Sequence, residues 1–535
     1  MNSSQNISQA LSQTLFELGC RDACISPGAR NAPIALSLSN QFKCYNILDE
    51  RSCAFTAMGI SKFKKIPAII NCTSGTAVAN LFPAIIEARM SETPLIIITA
   101  DRPKEMIDRG ENQTIYQENI FNKYVLKYIS IDSSSMKIEE KIYMAYKTAM
   151  GQSNNQPIHE KGPVHINVHI DDPTISNKTN TFSINNDFKS INIFSIEDDI
   201  NINDFNKPII VCGQSNLIQE KKQIFKLSEK YNIPILSDIS SNITAHPNIV
   251  SHYDLYVKKI NFDTVFRFGK KPLSKILNQQ IVRCKNTYLI RDERVFNDDT
   301  NKVLSYNQLS NIIDSTSMNL DSDWIKSIQK LEGSYSSNIN SIISKTDKLN
   351  EYSAAYQVLN QIERNSNLFI GNSIIIRSFN LVIPSNFKKD ITIFTNRGAS
   401  GIDGNICTSI GISLSSKSTY NYLILGDQAF MHDVGSLKIL KETNANLIII
   451  VINNSGGGIF DYLPISNDRN RPHYKKLIRN DHKDSFKNIT ESYGINYTKI
   501  EKLSEFNLPK IKKSQVIELN VDKGSSLNFY KNLIS

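Results

Sequence analysis

PAIINCTSGTAVANLFPAIIEARMSETPLIIITA, residues 67–100, is the stretch from which the fold of this chain can be read. PAIINCT (67–73) is an apolar run of strand length. SGTAVANLFPAIIEARM is a glycine turn feeding a helix, and PLIIITA (94–100) is the next strand. Strands that are apolar on both faces and joined by a helix indicate a parallel sheet covered on each side. The rhythm extends upstream. Residues 7–19 are amphipathic, ACIS (23–26) ends in a Pro-Gly turn, and YNIL (45–48) leads into the helix ERSCAFTAMGISKF.

It returns twice downstream. A second α/β segment opens at PIIVCGQSN (208–216) and runs through IPILSDISS and TVFRFG. The last third carries LFIGNS (368–373), ITIFTNRG (391–398), YLILGD (422–427) and NLIIIVINN (446–454) as strands ending in polar or glycine turns. Residues 174–206 are polar and aperiodic and read as a linker. Residues 300–350, helical and polar, read as a second connection. No short internal repeat is visible. The expectation is an α/β protein of three doubly wound parallel-sheet domains, 1–180, 190–345 and 352–535, which suits 535 residues.

Composition narrows the function classes. There are 61 basic and 52 acidic residues, a net charge of +9, but the lysines are scattered. Compositional bias and a basic pocket for anionic ligands both account for this excess. Without a Lys/Arg run or a basic stripe interleaved with aromatics, nucleic acid is not an expected partner. The eight cysteines, Cys20, Cys24, Cys44, Cys53, Cys72, Cys212, Cys284 and Cys407, form no C-x-x-C pair. They read as buried free thiols in a reducing compartment. The N-terminus lacks a basic segment followed by an apolar one, and the longest apolar runs fall far below the ~20 residues of a membrane span. A cytoplasmic protein without a membrane span is expected.

Open parallel sheets bind ligands at the carboxyl ends of their strands. Two strand ends in the last third carry chemistry. YLILGD places Asp427 at a tip, and IIIVINNSGGGIF places Asn453 and Asn454 before Gly456, Gly457 and Gly458. Asn454 lies 27 positions after Asp427, with HDVGSLKILKETN between them as a helix. A strand–helix–strand unit brings both tips to one sheet edge. A carboxylate and an amide oxygen there suit Mg²⁺, and glycines let backbone approach a diphosphate. Alone, the same residues also read as a polar strand end and a Gly-rich turn.

G-D-Q followed by N-N at this spacing resembles the thiamine-diphosphate motif, usually G-D-G followed by N-N, with Gln428 in place of the second glycine. The resemblance implies thiamine diphosphate and Mg²⁺, with Mn²⁺ as the alternative metal. It implies that Asp427, the side chain of Asn454 and the carbonyl of Gly456 are metal ligands. Thiamine chemistry also needs a carboxyl group against the aminopyrimidine ring, from a separate domain. Glu50, in NILDERSCAF, is placed for this role. It equally suits the first turn of a helix capped by Asp49, and the two readings are compatible.

Longer strings resemble one family, the 2-succinyl-5-enolpyruvyl-6-hydroxy-3-cyclohexene-1-carboxylate synthases of menaquinone biosynthesis. They are ISPGARNAP (25–33), LDERSCAF (48–55), CTSGTAVANLFPAIIEA (72–88), TADRP (99–103), GENQTIYQ (110–117), RFGKKPLSK (267–275), GNSIIIR (371–377), TNRGASGIDG (395–404) and NNSGGGIF (453–460). This implies a transferase of the carboligase kind. Such enzymes decarboxylate 2-oxoglutarate and add the succinic semialdehyde carbanion to isochorismate in a conjugate addition. By resemblance Arg30, Lys275, Arg377 and Arg397 meet the anionic substrates, Asn112 and Gln113 add polar contacts, and Ile459 and Phe460 wall the cofactor, with Ser373 near it. A homodimer or homotetramer with sites shared between chains is implied as well. The chain departs from the family's usual S-P-G-S-R-S, with Ala29 and Asn31 where serines stand.

Two other readings compete. Another thiamine enzyme, a simple 2-oxo acid decarboxylase or one like acetolactate synthase, would use smaller, neutral pockets, against which the four cations speak. A non-catalytic binding protein on this fold would be betrayed by loss of Glu50, Asp427 or Asn454, and all three are present.

Overall fold

The computed structural model describes residues 4–152, 160–171, 205–292, 298, 300, 302–315, 320–321, 323–416, 420–468, 473–511 and 513–534. These fall into two compact units. The first draws on Met1–Ile193, Asn396–Lys417 and His432–Leu447, and the second on Phe194–Thr395, Ser418–Met431 and Ile448–Ser535.

The first unit is built on a six-stranded parallel sheet. Its strands are β1 (Asp22–Ile25), β2 (Lys43–Asn46), β3 (Ala68–Cys72), β4 (Leu95–Asp101), β5 (Lys127–Ile131) and β6 (Pro163–His169), in spatial order β2-β1-β3-β4-β6-β5. Strands β1, β3, β4 and β6 are buried along their whole length, which is why they read as continuous apolar runs. Helix Glu50–Lys64 begins at Asp49, whose carboxylate accepts the Arg51 N–H at 3.2 Å. It lies against helix Asn405–Ser415 so closely that a Cβ on Gly59 would stand 2.0 Å from the Thr408 carbonyl oxygen. The small residue is what permits that crossing.

The second unit holds two more six-stranded parallel sheets. One comprises β7 (Pro208–Cys212), β8 (Ile235–Ser237), β9 (Ile249–Val250), β10 (Thr264–Phe268), β11 (Asn286–Ile290) and β12 (Lys302–Leu304), ordered β12-β11-β10-β7-β8-β9. The other comprises β13 (Ser366–Ile370), β14 (Ile391–Phe394), β15 (Asn421–Gly426), β16 (Ile448–Asn453), β17 (Asn496–Ile500) and β18 (Gln515–Asn520), ordered β14-β13-β15-β16-β18-β17. The expected class, three parallel sheets with interleaved helices, is what the chain adopts.

Several expectations need correction. Residues 300–350 are more than a connection. Lys302–Leu304 joins the middle sheet beside β11, and Leu309, Ile312 and Ile313 of helix Tyr306–Ser315 enter its core at helical spacing. Trp324 and Ile328, from helix Trp324–Ser344, pack on the sheet's other face. The linker at 174–206 lies outside the described residues apart from its end, where Phe205 is buried against Phe266 and Tyr288. HDVGSLKILKETN is not one helix. Helix Asp427–His432 comes first, then a turn, then helix Leu437–Thr443. All eight cysteines are unpaired, and all except the half-buried Cys44 are buried. No helix among the described residues is long and apolar enough to cross a membrane.

Candidate cofactor and metal site

The carboxyl edge of the third sheet carries a network of polar contacts. Asp427 directly follows β15 and is only 2% exposed. Its Oδ1 accepts the Gln428 N–H at 2.7 Å. Its Oδ2 accepts the Gly456 N–H at 2.9 Å and lies 3.1 Å from His482 Nε2. The hydrogen bond to Asp427 raises the pKa of His482. Gln428, the departure from the usual motif, has a task of its own. Its amide donates to the carbonyls of Arg479 and Asn480 at 3.1 and 3.2 Å and ties the strand end to that segment.

The two asparagines after β16 part company. Asn453 is spent on structure: Nδ2 donates to Glu518 Oε1 at 2.8 Å, and Oδ1 accepts the Ser455 N–H at 3.0 Å. Asn454 Nδ2 donates to Glu351 Oε1 at 2.8 Å, while its Oδ1 is buried and has no hydrogen-bond partner. The turn then runs through Gly456 at φ +135°, where a Cβ would meet the Arg479 carbonyl at 2.8 Å. The Gly456 carbonyl accepts the Gly458 N–H at 2.9 Å and retains a second lone pair.

This arrangement fits a hard divalent cation. A buried amide oxygen without a partner is costly unless something electropositive meets it, and Asp427 supplies a carboxylate on the neighbouring strand end. Among the described residues no cluster of three or more His, Cys, Asp or Glu offers a different metal site.

The remaining residues expected at a site have the following partners. Ser373 caps helix Ile374–Val382 at φ +76°, and its carbonyl accepts from Arg377 Nη1 at 2.6 Å. Arg377 is otherwise exposed, as is Lys275, which opens helix Lys275–Arg283 behind the cap of Ser274. Ile459 and Phe460 are half-buried in the turn Gly458–Tyr462.

In the first unit, Glu50 is half-buried, with Asn80 Nδ2 donating to its Oε2 at 3.3 Å. Arg30 donates to the carbonyls of Ile170 and Asp171 at 2.9 and 3.0 Å, so part of its guanidinium serves the chain itself. Asn112 and Gln113 are exposed. Arg397 is half-buried in a loop held from below. Buried Glu87 accepts the N–H groups of Gly398 and Ala399 at 2.9 and 2.6 Å. Asn31 points inward, with Nδ2 donating to Ser26 O at 3.0 Å and Asn71 Oδ1 at 2.8 Å. Its partners are main chain and core, whereas Ala29 is exposed.

Three residues at these edges escaped sequence reasoning: Glu351, His482 and Glu87. Glu351 stands at a recognisable helix start, Asn350-Glu-Tyr-Ser, but nothing local announces a contact 103 residues away. His482 carries no motif signal, and Glu87 lies inside the matched string CTSGTAVANLFPAIIEA (72–88) with nothing there to single it out.

Comparison with known proteins places this geometry. The family described as thiamine pyrophosphate enzyme, N-terminal TPP binding domain, matches residues 5–120. The middle domain of thiamine pyrophosphate enzymes matches 177–370, and the C-terminal TPP binding domain matches 384–515. Three curated relatives are each named 2-succinyl-5-enolpyruvyl-6-hydroxy-3-cyclohexene-1-carboxylate synthase. The one from Lysinibacillus sphaericus is 30% identical over 97% of this chain and 95% of its own length. That from Psychromonas ingrahamii is 30% identical, with coverage of 92% and 88%. The one from Staphylococcus aureus is 31% identical, with 92% and 89%.

Proposed function

We propose a reaction for this chain from the premise that it belongs to the 2-succinyl-5-enolpyruvyl-6-hydroxy-3-cyclohexene-1-carboxylate synthase family of thiamine pyrophosphate enzymes. It is a thiamine-diphosphate-dependent transferase that decarboxylates 2-oxoglutarate and adds the four-carbon fragment to isochorismate. The cofactor, when bound, would supply an acidic ring carbon that can bond the 2-oxo carbon and a cationic ring that can take up the electron pair left by decarboxylation. The single observation that carries the site is the buried, unpartnered Asn454 Oδ1 on the strand end next to that of Asp427.

In this reading Asp427, Asn454 and the Gly456 carbonyl hold Mg²⁺, with Mn²⁺ able to replace it. Ser373, Ile459 and Phe460 line the cofactor. Glu50 exchanges a proton with the pyrimidine ring, as a carboxyl at a strand end in a separate domain can. Arg30, Lys275, Arg377 and Arg397 receive the substrate carboxylates, for which guanidinium forks are suited, and Asn112 and Gln113 orient the acceptor. The domains run 1–180, 190–345 and 352–535, in keeping with three sheets and three family matches. The active unit is a homodimer or homotetramer in the cytoplasm, where eight free thiols persist. Glu50 of one chain serves the diphosphate held by Asp427 of another.

The deciding experiment is incubation with 2-oxoglutarate, isochorismate, thiamine diphosphate and Mg²⁺, reading product mass, with pyruvate as the control oxo acid. Product from pyruvate, and none from 2-oxoglutarate, would move the chain to the acetolactate-synthase-like reading. Site sharing is tested by co-expressing Glu50→Ala and Asp427→Ala chains and isolating the mixed dimer. A shared site returns about half the wild-type activity, since one site in the mixed dimer carries both lesions and the other none. An inactive, correctly mixed dimer refutes it.

A further inference from the structure

The side of Asn454 away from its free oxygen is occupied by a buried carboxylate that the reaction itself does not call for. Glu351 is the first residue of helix Glu351–Gln361 and is 3% exposed. Its backbone is pinned. Asn350 and Ser353 form a reciprocal capping box around the helix start, and the Glu351 N–H donates to Ser526 Oγ at 3.2 Å. From that anchored position Oε1 accepts Asn454 Nδ2 at 2.8 Å, while Oε2 is buried without a partner. Beside the pair lies a cavity of about 10 Å³, lined in part by Ile374, Gly458 and Tyr462, which admits one water-sized particle.

A primary amide has a donor end and an acceptor end, and an ionised carboxylate only accepts. Bonding Nδ2 to Glu351 therefore decides which way the Asn454 amide faces. Flipping it would set Oδ1 against a carboxylate oxygen, and lone pair would meet lone pair in a buried place. The free Oδ1 is thus a consequence of Glu351 as much as of Asn454.

We propose that Glu351 is a positioning residue for the cation site: it fixes the orientation of the Asn454 amide so that Oδ1, and not Nδ2, is presented to the divalent metal. The inference rests on the reading of Asp427 and Asn454 as metal ligands. Partners behind metal ligands are worth about 10- to 100-fold in affinity, and Glu351 falls in that class.

The test is Mg²⁺ titration in saturating thiamine diphosphate, followed by calorimetry, on the full-length protein. Glu351→Ala weakens Mg²⁺ binding by about 10- to 100-fold. Glu351→Gln keeps an acceptor oxygen but adds a donor end, so it no longer forbids the flipped amide and weakens Mg²⁺ binding by less than Glu351→Ala. In an Asn454→Ala background, Glu351→Ala brings no further loss, because the group it orients is gone. A purely structural Glu351 would weaken both backgrounds alike. That additivity overturns the proposal, as does unchanged Mg²⁺ affinity in Glu351→Ala. If Glu351→Ala does not fold, Glu351→Leu fills the space and is read the same way. Asp427→Ala and Asn454→Ala separate the two levels. If both bind Mg²⁺ and cofactor as wild type does, the metal reading falls and takes this one with it. If both lose binding while Glu351→Ala keeps it, only the role of Glu351 falls.

Discussion

The first and third sheets have the same strand order. Written from their own first strands, both run second, first, third, fourth, sixth, fifth. Their carboxyl edges are chemically unlike. In the first sheet the tips are joined mainly by amides: Asn31 to Ser26 and Asn71, and Gln117 to Gly75, Ala100 and Asn167, which in turn donates to the buried carboxylate of Asp101 at 2.8 Å. Glu50 stands among them with one long amide contact. In the third sheet the tips carry Asp427, Glu351, Asp461, Arg479 and His482, bonded to one another or to the turn between them. One topology thus supports a frame of amides around a single buried carboxylate in one place and a frame of several charged groups in the other. The chemistry belongs to the tips and not to the fold.

If that contrast is functional, lesions at the two edges must fail differently. Asp427→Ala should abolish Mg²⁺-dependent thiamine diphosphate binding, a loss on the order of hundredfold or more, since it removes a ligand itself and not its support. Glu50→Gln should bind the cofactor yet lose turnover by on the order of 10²- to 10⁴-fold, because only proton exchange is lost. Calorimetry beside steady-state rates separates the two. Matching defects in both variants would erase the distinction between the edges.

Arg397→Ala and Lys275→Ala sharpen the comparison at the substrate level. Each should lower kcat/KM by about 10- to 100-fold, the worth of a charge-assisted hydrogen bond, while cofactor affinity holds. Normal kinetics in both would dissolve the proposed anion pocket. Glu87→Gln offers a finer probe. It leaves one oxygen for the Gly398 and Ala399 amides, so KM should rise by less than in Arg397→Ala.

The frame of the first sheet has an acid limit. His165 on β6 is fully buried, and burial brings its pKa down to about 3. Below about pH 6.5 the unfolded chain protonates this ring and the folded one does not, so stability falls as pH drops, by about 1.4 kcal/mol per unit. Hydrogen-exchange protection factors of peptides covering 163–169, corrected for the intrinsic rate at each pH, should fall between about pH 6 and 4, and His165→Gln should flatten that limb. An unchanged pH dependence in the variant would assign the acid response elsewhere.

The smallest effect concerns Asn31. Asn31→Ala leaves Asn71 Oδ1 and Ser26 O without their donor and should cost about 1–3 kcal/mol of stability, read by thermal melting. Its effect on KM should be slight, because its Nδ2 is bonded to the strand ends. A large change in KM with unchanged stability would return Asn31 to the substrate.

What the sequence determined by itself was whatever repeats locally. Apolar runs such as PAIINCT and LIIIVI are buried on both faces and therefore announce parallel strands. Asp49 announced a helix start, and Asp427 and Asn454 announced themselves by standing at strand ends a fixed interval apart. Strand limits shifted by a residue or two, as for YNIL against Lys43–Asn46, because neighbouring strands and not local propensity end a ladder. Only the tertiary structure decided which polar atoms meet. It spent Asn453 on Glu518 and left Asn454 Oδ1 free, turned Asn31 inward, drew part of Arg30 onto two carbonyls, and set Glu351 behind Asn454. Such contacts join residues up to 141 positions apart. The physical reason is that hydrogen bonds act over about 3 Å between specific atoms, whereas hydrophobic burial is non-directional and can be read from composition along a strand.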